Sequence, residues 1–153
     1  MPQKIGLISD THDLLRPQAL AALAGCDAII HAGDICGAAV LASLAELAPV
    51  TSVRGNNDRG AWAETLPETA SLHLAGCAIL VIHDLAQLRL DPAAQGYGVV
   101  VAGHSHRPAV RKEGGVLFVN PGSAGPRRFK LPISLALLTL DGGRASAELR
   151  ILD

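Results

Sequence analysis

Val99-Val100-Val101-Ala102-Gly103-His104-Ser105-His106 joins a run of β-branched residues to a pair of imidazoles. The run reads as a buried strand, and Gly103 lets the chain leave it. In extended chain, residues two apart point to the same side. His104 and His106 are therefore expected to project together from the end of a central strand. Two neutral imidazoles on one side are ready donors to a metal ion. An isolated H-x-H is more often a surface pair, so the rest of the chain has to decide.

Working outward, the N-terminal third alternates strand and helix. Lys4 to Ser9, Ala28 to Ala32 and Val50 to Arg54 are apolar strands, separated by helices over Arg16 to Leu23, with Pro17 in its first turn, and Ala38 to Leu47. This β-α-β-α-β order implies parallel strands joined by right-handed crossovers. The remainder reads as hairpins. Thr69 to Leu74 pairs with Cys77 to His83, Ala109 to Lys112 with Val116 to Asn120, and Ile133 to Leu140 with Arg144 to Ile151, each around a Gly-containing turn. Leu85 to Tyr97 has room for only one or two helical turns. The sum is about ten strands and two or three helices, enough for two packed sheets with helices outside. There is no internal repeat, linker or low-complexity segment.

The 153 residues suit one domain over 1–153. With 49% hydrophobic and 18% charged residues, disorder is excluded, and 3% aromatics leave Ala, Leu, Val and Ile to build the core. A net charge of -1 argues against a general nucleic-acid or membrane-surface role. Arg107, Arg111, Lys112, Arg127, Arg128 and Lys130 form a local basic run, read first as a solvated face and second as a phosphate-attracting rim. Cys26, Cys36 and Cys77 lack metal-knot spacing and read as small hydrophobes. With neither a signal segment nor a bilayer-length apolar run, a cytoplasmic location is expected.

A hydrophobic strand stops, and a metal-binding residue type comes next: this recurs at Asp10 and His12, Asp34, Asn56, His83, and His104 and His106. In α/β sheets the carboxyl ends of strands form the ligand crevice. Two carboxylates, one amide oxygen and four imidazoles are too many for one tetrahedral zinc site. They suit two divalent ions, roughly 3.5–4 Å apart, clamping both oxygens of an in-line displacement at phosphorus. Two such ions against two aspartates and a hydroxide leave the cluster net positive, which favours an anionic phosphate and acidifies a bound water.

Asp10-x-His12, Gly33-Asp34, Gly55-Asn56-x-Asp58, His83 and Gly103-His104-x-His106 stand in the order seen in calcineurin-like metallophosphoesterases. The chain most resembles the small-domain, YfcE- and MJ0936-like phosphodiesterases, and Asn120-Pro121-Gly122-Ser123 resembles that branch's loop after its late strand. The resemblance implies a four-layer α/β/β/α sandwich: two mixed sheets with flanking helices. It implies a binuclear metal-dependent phosphoesterase, foremost a phosphodiesterase, with a metal-bridging hydroxide as nucleophile. Asp10, His12 and His106 would hold the first ion, and Asn56, His83 and His104 the second. Asp34 would bridge them, and Asp34, Asn56, Asn57 and His104 would serve the reaction directly. The nitrogen and oxygen donors suit Mn2+, with Fe, Zn, Ni and Co as alternatives. The expected partners are a small phosphodiester or phosphomonoester and, as in relatives, a second copy of the chain in a homo-oligomer. The alternative from the same fold is a catalytically weak metal-binding scaffold resembling a retromer subunit.

Two positions depart from that pattern. Many relatives carry a histidine where this chain has Asn57. An amide cannot deliver a proton at neutral pH but can hydrogen-bond a phosphate oxygen. Substrates with good leaving groups are therefore expected to be preferred. Asp84-Leu85 replaces a common Gly-His, and Asp84 reads as a turn residue or a substitute polar group. Among the rest, Arg127 or Arg128 is a candidate fork for phosphate. His31 reads as a hydrogen-bonded core histidine, His73 as exposed, and Trp62 as loop packing. Asp13 reads as a helix N-cap. Asp58 orients a ligand imidazole or closes an Asx turn. Ser123 lacks the context of a nucleophile.

Overall fold

The computed structural model describes residues 2–128 and 130–153. β1 (Gln3–Ile8), β2 (Ala28–His31) and β3 (Val50–Ser52) alternate with α1 (Pro17–Leu23) and α2 (Ala38–Ala45). β1 pairs with β2, and β2 with β3, in parallel, as the alternation requires. A short α3 (Ala61–Glu64) leads to β4 (Thr69–Leu74) and β5 (Cys77–Ile82), an antiparallel hairpin. After a single 3-10 turn at Leu85–Gln87 come β6 (Val99–Ala102), β7 (Ala109–Glu113), β8 (Val116–Asn120), β9 (Ser134–Asp141) and β10 (Arg144–Ile151).

The strands form two mixed five-stranded sheets, ordered β10-β9-β1-β2-β3 and β4-β5-β6-β8-β7. The last hairpin returns to the first sheet, where β9 pairs antiparallel to β1. Alternation along each strand divides its side chains between two faces. Ile5 and Leu7 of β1 and Ile30 of β2 pack against Ile79, Val81 and Val101 between the sheets. Ile8 and Ile29 face the other way, toward Leu23 of α1 and Leu44 of α2. All are buried, each fully buried aliphatic contributing about 1.5–3 kcal/mol.

The fourth layer is thin. On the far face of the second sheet, Leu80, Val100 and Val116 are covered by Leu85, Leu88 and Tyr97 from the 85–97 segment, whose one regular turn is the 3-10 turn. Between β5 and β6 the chain forms this single turn where the β2–β3 connection forms α2.

Other differences are local. Asp13 does not cap α1: Arg16 occupies that position without a side-chain cap, and Pro17 begins the helix. Asp13 instead has φ 65 and donates its N–H to the Ile35 carbonyl at 2.8 Å. That bond ties the loop after β1 to the loop after β2. Trp62 packs beneath the first sheet's helices, and His73 is exposed. No helix among the described residues is long and apolar enough to cross a membrane.

Candidate metal centre

Asp10, Asp34 and Asn56 come after the carboxyl ends of β1, β2 and β3; His83 and His104 come after those of β5 and β6. The two sheets bring these ends together. The Nε2 atoms of His12 and His106 lie 3.9 and 3.3 Å from Asp10 Oδ1. On the other side, Asn56 Oδ1 lies 3.0 Å from His83 Nε2 and 3.2 Å from His104 Nδ1. Asp34 Oδ2 stands between, 3.7 Å from His12 Nε2 and 3.4 Å from His83 Nε2. Asp10 Oδ1 also approaches His83 Nε2, at 3.9 Å. All seven side chains thus gather into two adjoining groups.

The H-x-H pair does not behave as an extended segment. His104 and His106 have φ 71 and 64, left-handed values for which β-region alternation fails. One ring turns to Asn56 and His83, the other to Asp10 and His12. Asp10, His12 and Asp34 share this backbone region, with φ 55, 46 and 55. Residues held in such sparsely populated conformations concentrate at functional sites. Two glycines make the convergence tight. A Cβ at Gly55 would lie 2.2 Å from both Asp34 N and Oδ1, and one at Gly103 would lie 2.0 Å from Ser9 Oγ.

Hydrogen bonds leave particular donor atoms bare. Asp10 Oδ2 accepts the Ser9 hydroxyl at 2.6 Å and the His104 N–H at 3.1 Å. Its Oδ1 is buried without a hydrogen-bond partner, as is His12 Nε2. His83 donates its Nδ1–H to the Ala32 carbonyl at 2.7 Å. A carbonyl only accepts, so Nε2 of the neutral ring carries a lone pair. That lone pair faces oxygens of Asn56, Asp34 and Asp10. Only a proton or a cation relieves this arrangement. Burial lowers the His83 pKa, but the two carboxylates and the Ala32 carbonyl outweigh it and raise the value. Burial pushes Asp34 upward, but the neighbouring His83 and the two hydrogen bonds from Asn57 prevail and hold it ionised. Asp10 is likewise lowered despite burial, by His106 and Ser9. The bare oxygens and lone pairs match what a divalent cation requires. Asp10 with His12 and His106, and Asp10 with Asp34 and His83, each bring their ligand atoms within 4.8 Å of one another, close enough to share an ion.

A second set of residues holds the loops, and sequence reading found only part of it. Asp58 accepts the N–H groups of Asp34, Gly55 and Cys36 at 3.0, 2.8 and 2.7 Å. It therefore joins the loops after β2 and β3 and orients no imidazole. Fully buried His31 accepts the Gly33 N–H on Nδ1 at 3.1 Å, which leaves the proton on Nε2 to donate to Thr11 Oγ1 at 3.0 Å. The Thr11 hydroxyl donates onward to the Ile35 carbonyl. His31 is thus a hydrogen-bonded core histidine and also a staple between the loops carrying Asp10 and Asp34. Asn120 donates its amide to the Gly103 carbonyl and Ser105 hydroxyl, and Ser123 donates to the Asp10 carbonyl. The Asn120–Ser123 stretch is thereby a brace for the site.

Four further side chains border the centre. The Asn57 amide donates to Asp34 Oδ2 at 3.0 Å and its N–H to Oδ1 at 2.8 Å, so it holds the central carboxylate. Arg127 pairs with Asp153. Asp84 both caps the 3-10 turn through Ala86 N and places Oδ2 3.7 Å from His104 Nε2. Cys36 is half-buried beside the site, its Sγ 3.7 Å from His12 Nδ1.

Residues 3–143 match the Calcineurin-like phosphoesterase superfamily domain. A probable metallophosphoesterase from Methanothermobacter thermautotrophicus is 35% identical, the match covering 95% of this chain and 90% of that one. A phosphodiesterase from Methanocaldococcus jannaschii is 29% identical over 78% of this chain and 82% of its own length. Vacuolar Protein Sorting 29 from Cryptosporidium parvum superposes with a TM-score of 0.80 at 20% identity, covering 97% of both chains. That last likeness concerns the fold.

Proposed function

The chain belongs to the calcineurin-like phosphoesterase superfamily, and from that premise we propose that it is a phosphodiesterase with a binuclear metal centre. Asp10, His12 and His106 are assigned to one divalent ion, and Asn56, His83 and His104 to the other, with Asp34 bridging. Mn2+ is the preferred ion, given the share of oxygen donors, with Fe, Zn, Ni and Co as alternatives. When bound, the ions polarise phosphoryl oxygens and bring a water's pKa toward neutrality, so that hydroxide is available as nucleophile.

The residues then have distinct tasks. Ser9 and the His104 N–H fix the Asp10 carboxylate, and Asn57 fixes that of Asp34. Ala32 sets the His83 tautomer. His104, with 46% of its side chain exposed, borders the larger cavity and stands toward the incoming phosphate. Arg127 or its neighbour Arg128 remains the candidate cation for phosphate at the rim. Residues 1–153 are taken as one catalytic domain acting on small phosphoesters in the cytoplasm, alone or as a homo-oligomer.

The observation that carries this reading is the His83 Nε2 lone pair aimed at three oxygens. A chelator-stripped sample tested on bis-aryl and mono-aryl phosphates, with manganese, nickel or zinc restored, checks it. Turnover restored by an ion and lost in Asp34→Asn supports the assignment. Full turnover in Asp34→Asn refutes the bridge. The scaffold alternative has one observation in its favour: Asn57 holds Asp34 where many relatives have a proton-donating histidine. Absence of turnover with every ion favours it.

A further inference from the structure

Two cavities meet at His104 and Asp84. The larger, about 730 Å³, opens beside Asn56 and His83 and is edged by Arg54, Glu68 and Arg89. The smaller, about 250 Å³, lies on the far face of the second sheet. Val100, Ala102, Phe118 and Leu85 line it, with Arg107 and Asn120 among its polar groups. Its origin is the thin fourth layer. Val100 of β6 and Phe118 of β8 are neighbours in register, with Arg111 of β7 beyond them. The 85–97 segment packs on Leu80, Val100 and Val116 but leaves space beside Val100 and Phe118, toward Ala109 and Arg111.

Resting on the phosphodiesterase reading, we propose that the smaller cavity is a subsite for one aromatic ester substituent of the substrate. A phosphodiester carries two substituents, and the structure has a cavity on each side of His104. The two differ in character. The larger one offers both charge signs and suits a polar arm. The smaller is walled by aliphatic groups and the Phe118 ring, and aromatic rings pack well against such surfaces. At about 250 Å³ it falls below the usual ~300–1,000 Å³ of pockets for whole ligands. A single ring is the matching size. Arg111, whose guanidinium sits 4.4 Å from the Phe118 centroid, keeps a cation at the same wall.

The test is binding of phenylphosphonate against methylphosphonate to the Mn2+-loaded protein, by calorimetry or by competition. Ala109→Phe fills the cavity from an exposed position on β7 and carries little risk to folding. Phe118→Leu removes the ring but keeps an apolar wall. The wild type should prefer phenylphosphonate by about tenfold or more, and both variants should bring that ratio within about threefold while methylphosphonate binding stays unchanged. No phenyl preference in the wild type, a preference retained in both variants, or binding of neither probe would overturn the subsite. Absence of turnover with the phenyl preference intact would instead sink only the phosphodiesterase reading.

Discussion

Replacing His31 with leucine should destabilise the metal-free protein near neutrality and flatten its loss of stability on acidification. In the native fold the imidazole accepts the buried Gly33 N–H and donates to Thr11. Leucine fills similar space but leaves that N–H without an acceptor, at a cost of about 1–3 kcal/mol. Opposing this is the proton that the native site refuses. Burial takes the His31 pKa down from 6.5 to about 3. Between those values the unfolded chain binds more protons than the folded one, so stability falls as pH drops through 6.5 and continues to fall toward 3. The resulting loss is about 0.8 kcal/mol at about pH 6 and about 2 kcal/mol at about pH 5. His12, lowered by burial, adds in the same direction; His83, raised by its carboxylates, opposes it. Both remain in the variant and cancel in the difference. The two stability curves should therefore converge and meet near about pH 5. Urea denaturation of both proteins in chelator, at about pH 7.5, 6 and 5, measures this. Curves that stay parallel across that range would refute the buried neutral histidine. Because His31 staples two ligand-bearing loops, the variant should also bind metal about 10–100-fold more weakly.

The geometry makes three further outcomes testable. Gly55→Ala should force the Asp34 loop to shift, costing about 1–3 kcal/mol in stability, together with weaker metal binding; unchanged metal affinity would contradict the close approach of Gly55 to Asp34. Chelation should lower the melting temperature, since a ligand at about 100 times its Kd adds about 2.7 kcal/mol to the folded state. An unchanged melting curve would mean a weak or empty site. Asn57→His exchanges a group that holds Asp34 for one able to protonate a leaving group, so it should narrow the rate gap between alkyl and aryl diesters; an unaltered gap refutes a leaving-group role at this position.

The strand segments, the hairpins and the ends of the ligand-bearing strands were legible because each depends on local information. An apolar run stopped by Gly-Asp or Gly-His marks both the strand and the chelating group at its end. Asp34 and His104 were found in this way, and Asp10, Asn56 and His83 as polar residues directly past the end of a strand. Their convergence was inferred from a resemblance, and it is realised by the pairing of β1 with β2 and of β5 with β6. The roles of Asp58 and Asn57 were not legible, because their partners are backbone and carboxylate groups 22 to 24 residues away. The same holds for Arg127, whose partner Asp153 lies 26 residues further on.

Which segments are strands, where they stop, and which chelating groups stand at those stops can be read from the residues in order. Hydrophobic run length and glycine set these features, and both act over a few residues. How the groups divide between the two sides of the centre emerges only once the chain is folded. His104 and His106 part company because left-handed backbone at both rotates their rings toward different neighbours. The small cavity beside His104 exists because the 85–97 segment, with its single 3-10 turn, leaves part of the second sheet's far face uncovered. Both are consequences of where distant chain is forced to lie.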